Sequence, residues 1–379
     1  VGFSSEYLYG LVAQSLDKLA SQVLDNGMFV YTYDDETKTP GKDDYNILRH
    51  CGTVWSMEEA LAVEPVAAKV GDPTRIQNSL DSAVGYVVRE RLKLVPSRHP
   101  DELVLCLVEG GRIKLGGNGL ALLALLGANP AFLPNRLLLA RGIANYYLQD
   151  PGRLLQHKVH HATGKATDFV SEYYTGEALF GLARIYTALW QATGDDGFRQ
   201  EIISLLKWTA RLKADDSYGV SIQSHWMVYA ITELYHIVRT AGIFDSDPDE
   251  YAAMLLDYGW MIVDDVIRKN AYRKRNQSTP IACRSEALVR YALMLTQEQA
   301  HPCRPDSQLE KHSQLGKRLA AVITTLEENL TLQMKALTLD GAFVRGWNNR
   351  LGEREVRIDY IQHNMTSLLN YAVFLQQRG

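Results

Sequence analysis

Six stretches of this chain begin alike, and that repetition constrains the fold more than any other feature. They are RHCGTVWSMEEAL, GGNGLALLALL, TGEALFGLARIY, SHWMVYAITELY, RSEALVRYALML and QHNMTSLLNYAVF. Each carries helical periodicity and opens on small or polar residues. Superposed on their second residue, they share a polar or ionisable position: His50, Asn118, Glu177, His225, Glu286 and His363. The steps between these positions leave room for a return helix each time. Twelve helices are therefore expected, over 6–24, 49–68, 75–91, 118–128, 132–148, 175–192, 197–213, 224–240, 249–270, 284–297, 312–336 and 362–377. Gly- and Pro-bearing gaps such as VGDPTR, LGANPAFLP and ATGDDG separate them. Only GMFVYTY, LVLCLVEGGRIKLG and GAFVRGW read as extended.

Alternate helices differ in texture. ALLALLGA and GEALFGLA are small and apolar, as helices covered on both sides must be, whereas the outer set carries more charge, as in EIISLLKWTARLK. Six inner helices wrapped by six outer ones satisfy this pattern. The expected class is all-α, an (α/α)6 toroid of six helical hairpins over 1–379 as one catalytic domain, with short β-hairpin insertions at the active-site end. An open superhelix of hairpins has the same local pattern, but unlike first and last repeats favour closure. In a ring, the repeated polar positions lie in the first turn of every inner helix and face one funnel. Ordinary N-caps favour Ser, Thr, Asp and Asn, whereas this set holds three His and two Glu.

On this architecture the chain resembles the six-hairpin toroids of several glycosidase families, sugar 2-epimerases, and uronyl epimerases and lyases. DYNILRHCGT, KLGGNGLALLAL and YYTGEALFGLARIY look like members of a bacterial group of that superfamily. The resemblance implies a carbohydrate cleft where the inner helices start, worked by carboxylates or by a His/Tyr set. The chain contains no GxSxG, Walker, dinucleotide or HExxH signature that would argue for another class.

Glycoside hydrolysis needs two carboxyl groups, and the expected activity is hydrolysis of an oligo- or polysaccharide. Glu177 and Glu286 occupy equivalent helix starts. Asp44 in DDYN and Asp359 in IDYI both precede an inner helix, and closure would make them neighbours; these four are the catalytic candidates. Arg49, Lys114, Arg284, Arg345 and Arg357 flank the same mouth, which points to a substrate bearing carboxylate or phosphate. Further substrate-binding candidates are His50, Asn118, Glu172, Tyr173, Tyr174, His225, Trp226, Trp347, Tyr360 and His363, with Trp347 as the favoured sugar platform. The alternative activity is a uronic-acid lyase or sugar epimerase, in which His50, His225, His363 or Tyr174 moves the proton. A second alternative is a glycan- or protein-binding toroid without chemistry.

No metal or other cofactor is expected, because ring neighbours hold the three imidazoles apart and no ligand pair has helical i,i+4 spacing. A net charge of -4 and pI near 6.2 argue against nucleic acid as a partner. No apolar run is long enough for a membrane span. Four cysteines in irregular spacing make no disulfide framework, and at least three read as buried thiols. The opening VGFSSEYLYG favours a periplasmic or secreted location, with a cytoplasmic one left open.

Overall fold

The computed structural model describes residues 2–41, 45–97, 101–127, 132–147, 156–215, 218–240, 248–300, 308–348 and 352–378. In chain order its α-helices are α1 (Ser5–Ser21), α2 (Ile47–Leu61), α3 (Glu64–Ala67), α4 (Pro73–Tyr86), α5 (Leu115–Leu126), α6 (Leu133–Tyr147), α7 (Tyr174–Thr193), α8 (Asp196–Ala214), α9 (His225–Thr240), α10 (Pro248–Arg268), α11 (Ser278–Ala300), α12 (Gln308–Gln333) and α13 (Ile358–Arg378). The inner set packs in succession, α2 on α5, then α7, α9, α11 and α13, and α13 returns to α2. The ring is closed, and the fold is the (α/α)6 toroid. Its pairs are α1/α2, α4/α5, α6/α7, α8/α9, α10/α11 and α12/α13, with α3 a short turn of helix after α2.

Local chemistry explains the elements. In α5 every residue from Leu115 to Leu125 is buried, so the helix has no face for water. In α8 burial falls on Ile202, Leu205, Leu206, Thr209 and Leu212, one stripe of an outer helix. Asp72 caps α4 by accepting from Arg75 N, with Pro73 at the first helical position. α7 stops at Gly194, whose φ of 66° suits the left-handed cap that glycine adopts without strain. Where α5 meets α7, a Cβ on Gly181 would lie 2.3 Å from the Gly119 carbonyl oxygen, so only hydrogen permits the observed backbone approach.

Strands gather at the end where the inner helices start. They are β1 (Thr32–Asp34), β2 (Leu92–Pro96), β3 (Leu103–Glu109), β4 (Arg112–Lys114), β5 (Lys158–His160) and β6 (Glu355–Arg357). β1 pairs antiparallel with β6, Thr32 opposite Arg357, and joins the first repeat to the last. The others form an antiparallel sheet in the order β2-β3-β4-β5. The β3–β4 hairpin lies within the expected LVLCLVEGGRIKLG. GAFVRGW supplies isolated bridges only, Phe343 to Leu337, Val344 to Val356 and Gly346 to Gln277.

Three boundaries differ from expectation. The helix read over 49–68 breaks into α2 and α3, because Pro65 suits the start of a helix and not its interior. The one read to 91 ends as α4 at Tyr86, followed by a π turn and β2. α11 starts at Ser278, before the expected residue 284, since Pro280 in a first turn loses no intrahelical hydrogen bond.

Candidate active site

At the mouth of the ring a cavity of about 740 Å³ is lined by the starts of α2, α7, α9, α11 and α13 and by the loops between them. This volume is ordinary for a small-molecule site. Beneath it Trp55, Phe180, Trp226 and Tyr229 form an aromatic floor, with Trp55 edge-on to Phe180 at 5.6 Å and to Tyr229 at 5.4 Å. Such stacked and edge-on rings resist rearrangement and fix the helices that carry the polar groups above.

His225 opens α9 and His363 lies in the second turn of α13. Their ring centroids stand 5.0 Å apart, edge to face, on the cavity wall. α11 packs between these two helices and supplies Glu286. The Glu286 carboxylate is fully buried; it accepts from His363 Nδ1 at 2.7 Å and from the Tyr229 hydroxyl at 2.8 Å. Burial by itself would drive a proton off His363, but Cys283 and Glu286 outweigh it and hold the imidazole well above its ordinary value. The direction favours the protonated imidazole, while burial raises the Glu286 carboxyl against the lowering pull of His363 and Tyr229.

His225 is the opposite case. It is buried, and neither ring nitrogen has a hydrogen-bond partner. Burial first, then the charges of His363 and Arg284, hold it well below the ordinary histidine range. A neutral imidazole and a charged one therefore face the same space, an arrangement suited to taking one proton and giving another.

Glu177 lies on the facing wall at the start of α7. Burial pushes its carboxyl up to about 8, against the lowering pull of His363 and Arg49. It is a neutral acid at pH 7, and its Oε2 has no partner. Gly116 makes room for it, since a Cβ there would sit 1.8 Å from Oε2. Tyr174 lines the cavity with its phenol raised to about 12 by burial and by Glu177, so it donates a proton and does not remove one. Tyr173 and Trp226 line the wall beside them.

Asp359, in the first turn of α13, also lines the cavity but is held by cations. Arg357 reaches both its oxygens, at 2.5 and 2.9 Å, and Arg49 Nε lies 3.1 Å from Oδ2. Arg49 also donates to the Tyr31 hydroxyl at 2.7 Å. Tyr360, donating to Glu355, completes this side. Arg284 and Arg345 line the opposite side. Asp44 lies outside the described residues.

The remaining candidates sit elsewhere. His50 is fully buried between the Tyr45 hydroxyl at 2.7 Å and the Ala83 carbonyl at 3.0 Å, turned toward α4 and away from the axis. Asn118 binds the backbone of β3, accepting from Leu107 N at 2.8 Å. Lys114 pairs with Glu109 at 2.5 Å, and that carboxylate also accepts from Ile47 N. Glu172 is exposed on the loop before α7, and Trp347 is half-buried against the core, outside the cavity lining.

The six repeated positions accordingly do not converge on one funnel, and this corrects the expectation. Glu177, His225 and His363 line it. Glu286 stands behind His363 and lies beyond the second turn of α11, because that helix begins earlier than its sequence suggests. The expectation that imidazoles stay apart also fails for His225 and His363, which touch edge to face on one wall of the funnel. Sequence reasoning passed over Tyr229 and Gln362; neither differs in the sequence from a core or polar helix residue.

Ligand atoms of His225, Cys283, Glu286 and His363 lie within 4.8 Å of one another. Tetrahedral zinc with bonds of about 2.0–2.3 Å spaces its donors by roughly 3.3–3.8 Å. A soft metal ion recruited here would have to draw the farthest-spread donors together by about an ångström and break the Glu286–His363 hydrogen bond. The geometry fits the hydrogen-bonded acid–base arrangement without adjustment.

No protein-family model matches the chain, and no curated protein matches it. Solved structures do. Cellobiose 2-epimerase from Bacillus thermoamylovorans B4167 superposes with a TM-score of 0.59 at 12% identity, over 97% of this chain and 99% of that one. A D-mannose isomerase gives 0.54 at 13% identity, over 97% of both chains. The Lin0763 protein from Listeria innocua gives 0.55 at 10%, over 100% of this chain and 99% of that one. At such identities the likeness shows a shared toroidal fold. Among the described residues no helix is long and apolar enough to cross a membrane.

Proposed function

We propose that the protein removes the C2 proton of a reducing sugar and returns a proton either to C1 or to the other face of C2, as an aldose–ketose isomerase or a 2-epimerase. The single observation that carries this reading is His225, unpartnered and beside His363 on the cavity wall, with the two imidazoles shifted in opposite directions, His225 down and His363 up. On the open-chain aldose, His225 takes the C2 proton while His363 protonates O1, giving an enediol. Return of a proton to C1, with loss of the O2 proton, yields the ketose. Return of a proton to C2 on the other face, with loss of the O1 proton, yields the epimer. Electrons shift only within the sugar, so no redox partner is needed. Negative charge developing on the oxygens would raise the basicity of His225 as the proton leaves carbon. The toroids of a cellobiose 2-epimerase and a D-mannose isomerase support this choice over the hydrolysis expected first.

Solvent exchange tests the proposal. D-mannose and cellobiose, incubated in D2O and followed by NMR, should give a ketose or an epimer with deuterium at C1 or C2. His225→Asn should lower that rate by about 10²–10⁴, the usual contribution of a general base, while leaving the melting temperature nearly unchanged, since no hydrogen bond is lost. Exhaustive chelation should leave turnover intact. If H225N retains wild-type exchange, or if activity returns only with added metal, the acid–base reading is wrong.

Hydrolysis remains a second reading because Glu177 is a protonated carboxylic acid at neutral pH, the state a leaving-group acid requires. Its partner carboxylate would be Asp359 or Asp44, and Asp359 is already neutralised by two arginines. New reducing ends from an oligosaccharide, without exchange at carbon, would select it.

A further inference from the structure

The two sides of the cavity carry charge differently. On the α2/α13 side, Arg49 and Arg357 are matched to Asp359. On the α11 side, Arg275, Arg284 and Arg345 line the cavity, and among the described residues none of the three has a carboxylate partner. Arg284 is half-buried and its guanidinium is held by neutral acceptors, Gln223 Oε1 at 3.0 Å and the carbonyls of Pro280 and Ile222 at 3.3 and 3.4 Å. It also lies over the Tyr272 ring, 5.4 Å from the centroid. Its direction is therefore fixed while its charge stays uncompensated. Arg275 and Arg345 are exposed at the rim and are brought together by backbone pairing: Gln277 bridges Gly346, and Ser278 N donates to the Arg345 carbonyl at 2.9 Å.

These three guanidiniums come from separate points of the chain, in a protein whose net charge is -4. Arginine clusters without acidic partners favour planar or tetrahedral oxyanions, which accept several N–H bonds at once. Depth matters as well. His225 and His363 are buried, whereas Arg275 and Arg345 are at the rim, so an anion bound there belongs to the far end of a ligand whose reacting end is below.

We infer that the α11 side of the cavity is an oxyanion subsite, and that the substrate is a sugar carrying a phosphate, sulfate or carboxylate group remote from its reducing carbon. This rests on the proton-transfer reading for which end reacts, but not for the binding itself. The subsite would also favour anionic over neutral sugars, because only the former answer the three charges.

Calorimetry separates the two claims. D-mannose, D-mannose 6-phosphate and D-mannuronate are titrated into the full chain, and each is also followed for exchange in D2O. At low salt, at least one anionic sugar should bind about tenfold or more tighter than D-mannose, as expected of charge-assisted hydrogen bonds, and the advantage should shrink as salt rises. Phosphate preferred over carboxylate would identify a tetrahedral group, and the reverse a uronic acid. Arg275→Ala and Arg345→Ala, both exposed and harmless to folding, should each remove about tenfold of that preference. Equal binding of the neutral and both anionic sugars would overturn the subsite. So would an anion preference that both variants leave untouched. Arginine-dependent anion binding without exchange at carbon would keep the subsite and remove the proton-transfer reading. Exchange on D-mannose, with no anion preference, would do the opposite.

Discussion

Replacing Glu286 by Gln isolates the step on which the acid–base pair depends. The substitution keeps the shape of a fully buried side chain and can still accept from Tyr229, but it removes the ionisable carboxyl group 2.7 Å from His363 Nδ1 that helps hold that imidazole up. Removing one partner of a buried hydrogen-bonded charge pair costs about 3–5 kcal/mol, and a general acid contributes about 10²–10⁴ to rate. Glu286→Gln should therefore lower kcat by about 10²–10³ at neutral pH and shift the alkaline limb of the pH–rate profile to lower pH. The acid must carry its proton, and without Glu286 it loses that proton sooner. Stability carries the same sign. His363 is raised in the folded state, so the stabilisation it contributes is fully present below its ordinary value near 6.5 and is lost as pH rises through the raised one. In Glu286→Gln that loss should come at lower pH. Stopped assays across pH, with thermal melts of the same samples, measure both. An alkaline limb that stays in place, or a loss of activity matching the loss of folded protein, would refute the argument.

Two further outcomes follow from the same geometry. Glu177, raised to about 8 by burial, stabilises the fold below about 4.5 and loses that contribution as pH rises through 8; in Glu177→Gln this slope of melting temperature with pH should disappear, and a loss of turnover below tenfold would favour proton transfer whereas about a thousandfold would favour hydrolysis. Gly181→Ala would press a methyl group to 2.3 Å from the Gly119 carbonyl, forcing α5 and α7 apart at a cost of about 1–3 kcal/mol and moving Glu177 relative to His363; a melting temperature and kcat/KM equal to wild type would contradict that crossing.

Much of this arrangement was legible because helical periodicity and repetition are local properties of sequence. The six inner helices were read from their starts, and the ring from their number. The orientation of a side chain about its helix is not local. His50 and His363 share the same His-x-x-Thr phrase, yet His50 turns outward because Tyr45 and the Ala83 carbonyl satisfy both its nitrogens. Superposition of RSEALVRYALML on the other repeats puts Glu286 at a helix start, whereas α11 begins at Ser278, since a proline is tolerated in a first turn. Glu177, His225, Asp359 and His363 were named as candidates, but their grouping depends on α9 and α13 facing each other past α11, which no spacing records. Lopsided charge was equally hidden: Arg49 and Arg284 look alike in sequence, and only the structure gives one a carboxylate and leaves the other without.

The β1–β6 strand pair has a consequence for how the chain folds and fails. Arg354 and Asp35, joined beside that pair, are 319 positions apart, and closing a loop of this length costs about 5 kcal/mol in chain entropy before any constant term. An open array of hairpins can assemble from neighbour to neighbour and fray from its ends; here the last junction is also the most remote. α13 forms one flank of that junction and carries both Asp359 and His363. A folding intermediate holding five stacked hairpins would thus have most of its helix and no working site, and backbone amides of Thr32–Asp34 and Glu355–Arg357 should exchange with solvent at the same free energy at which activity is lost.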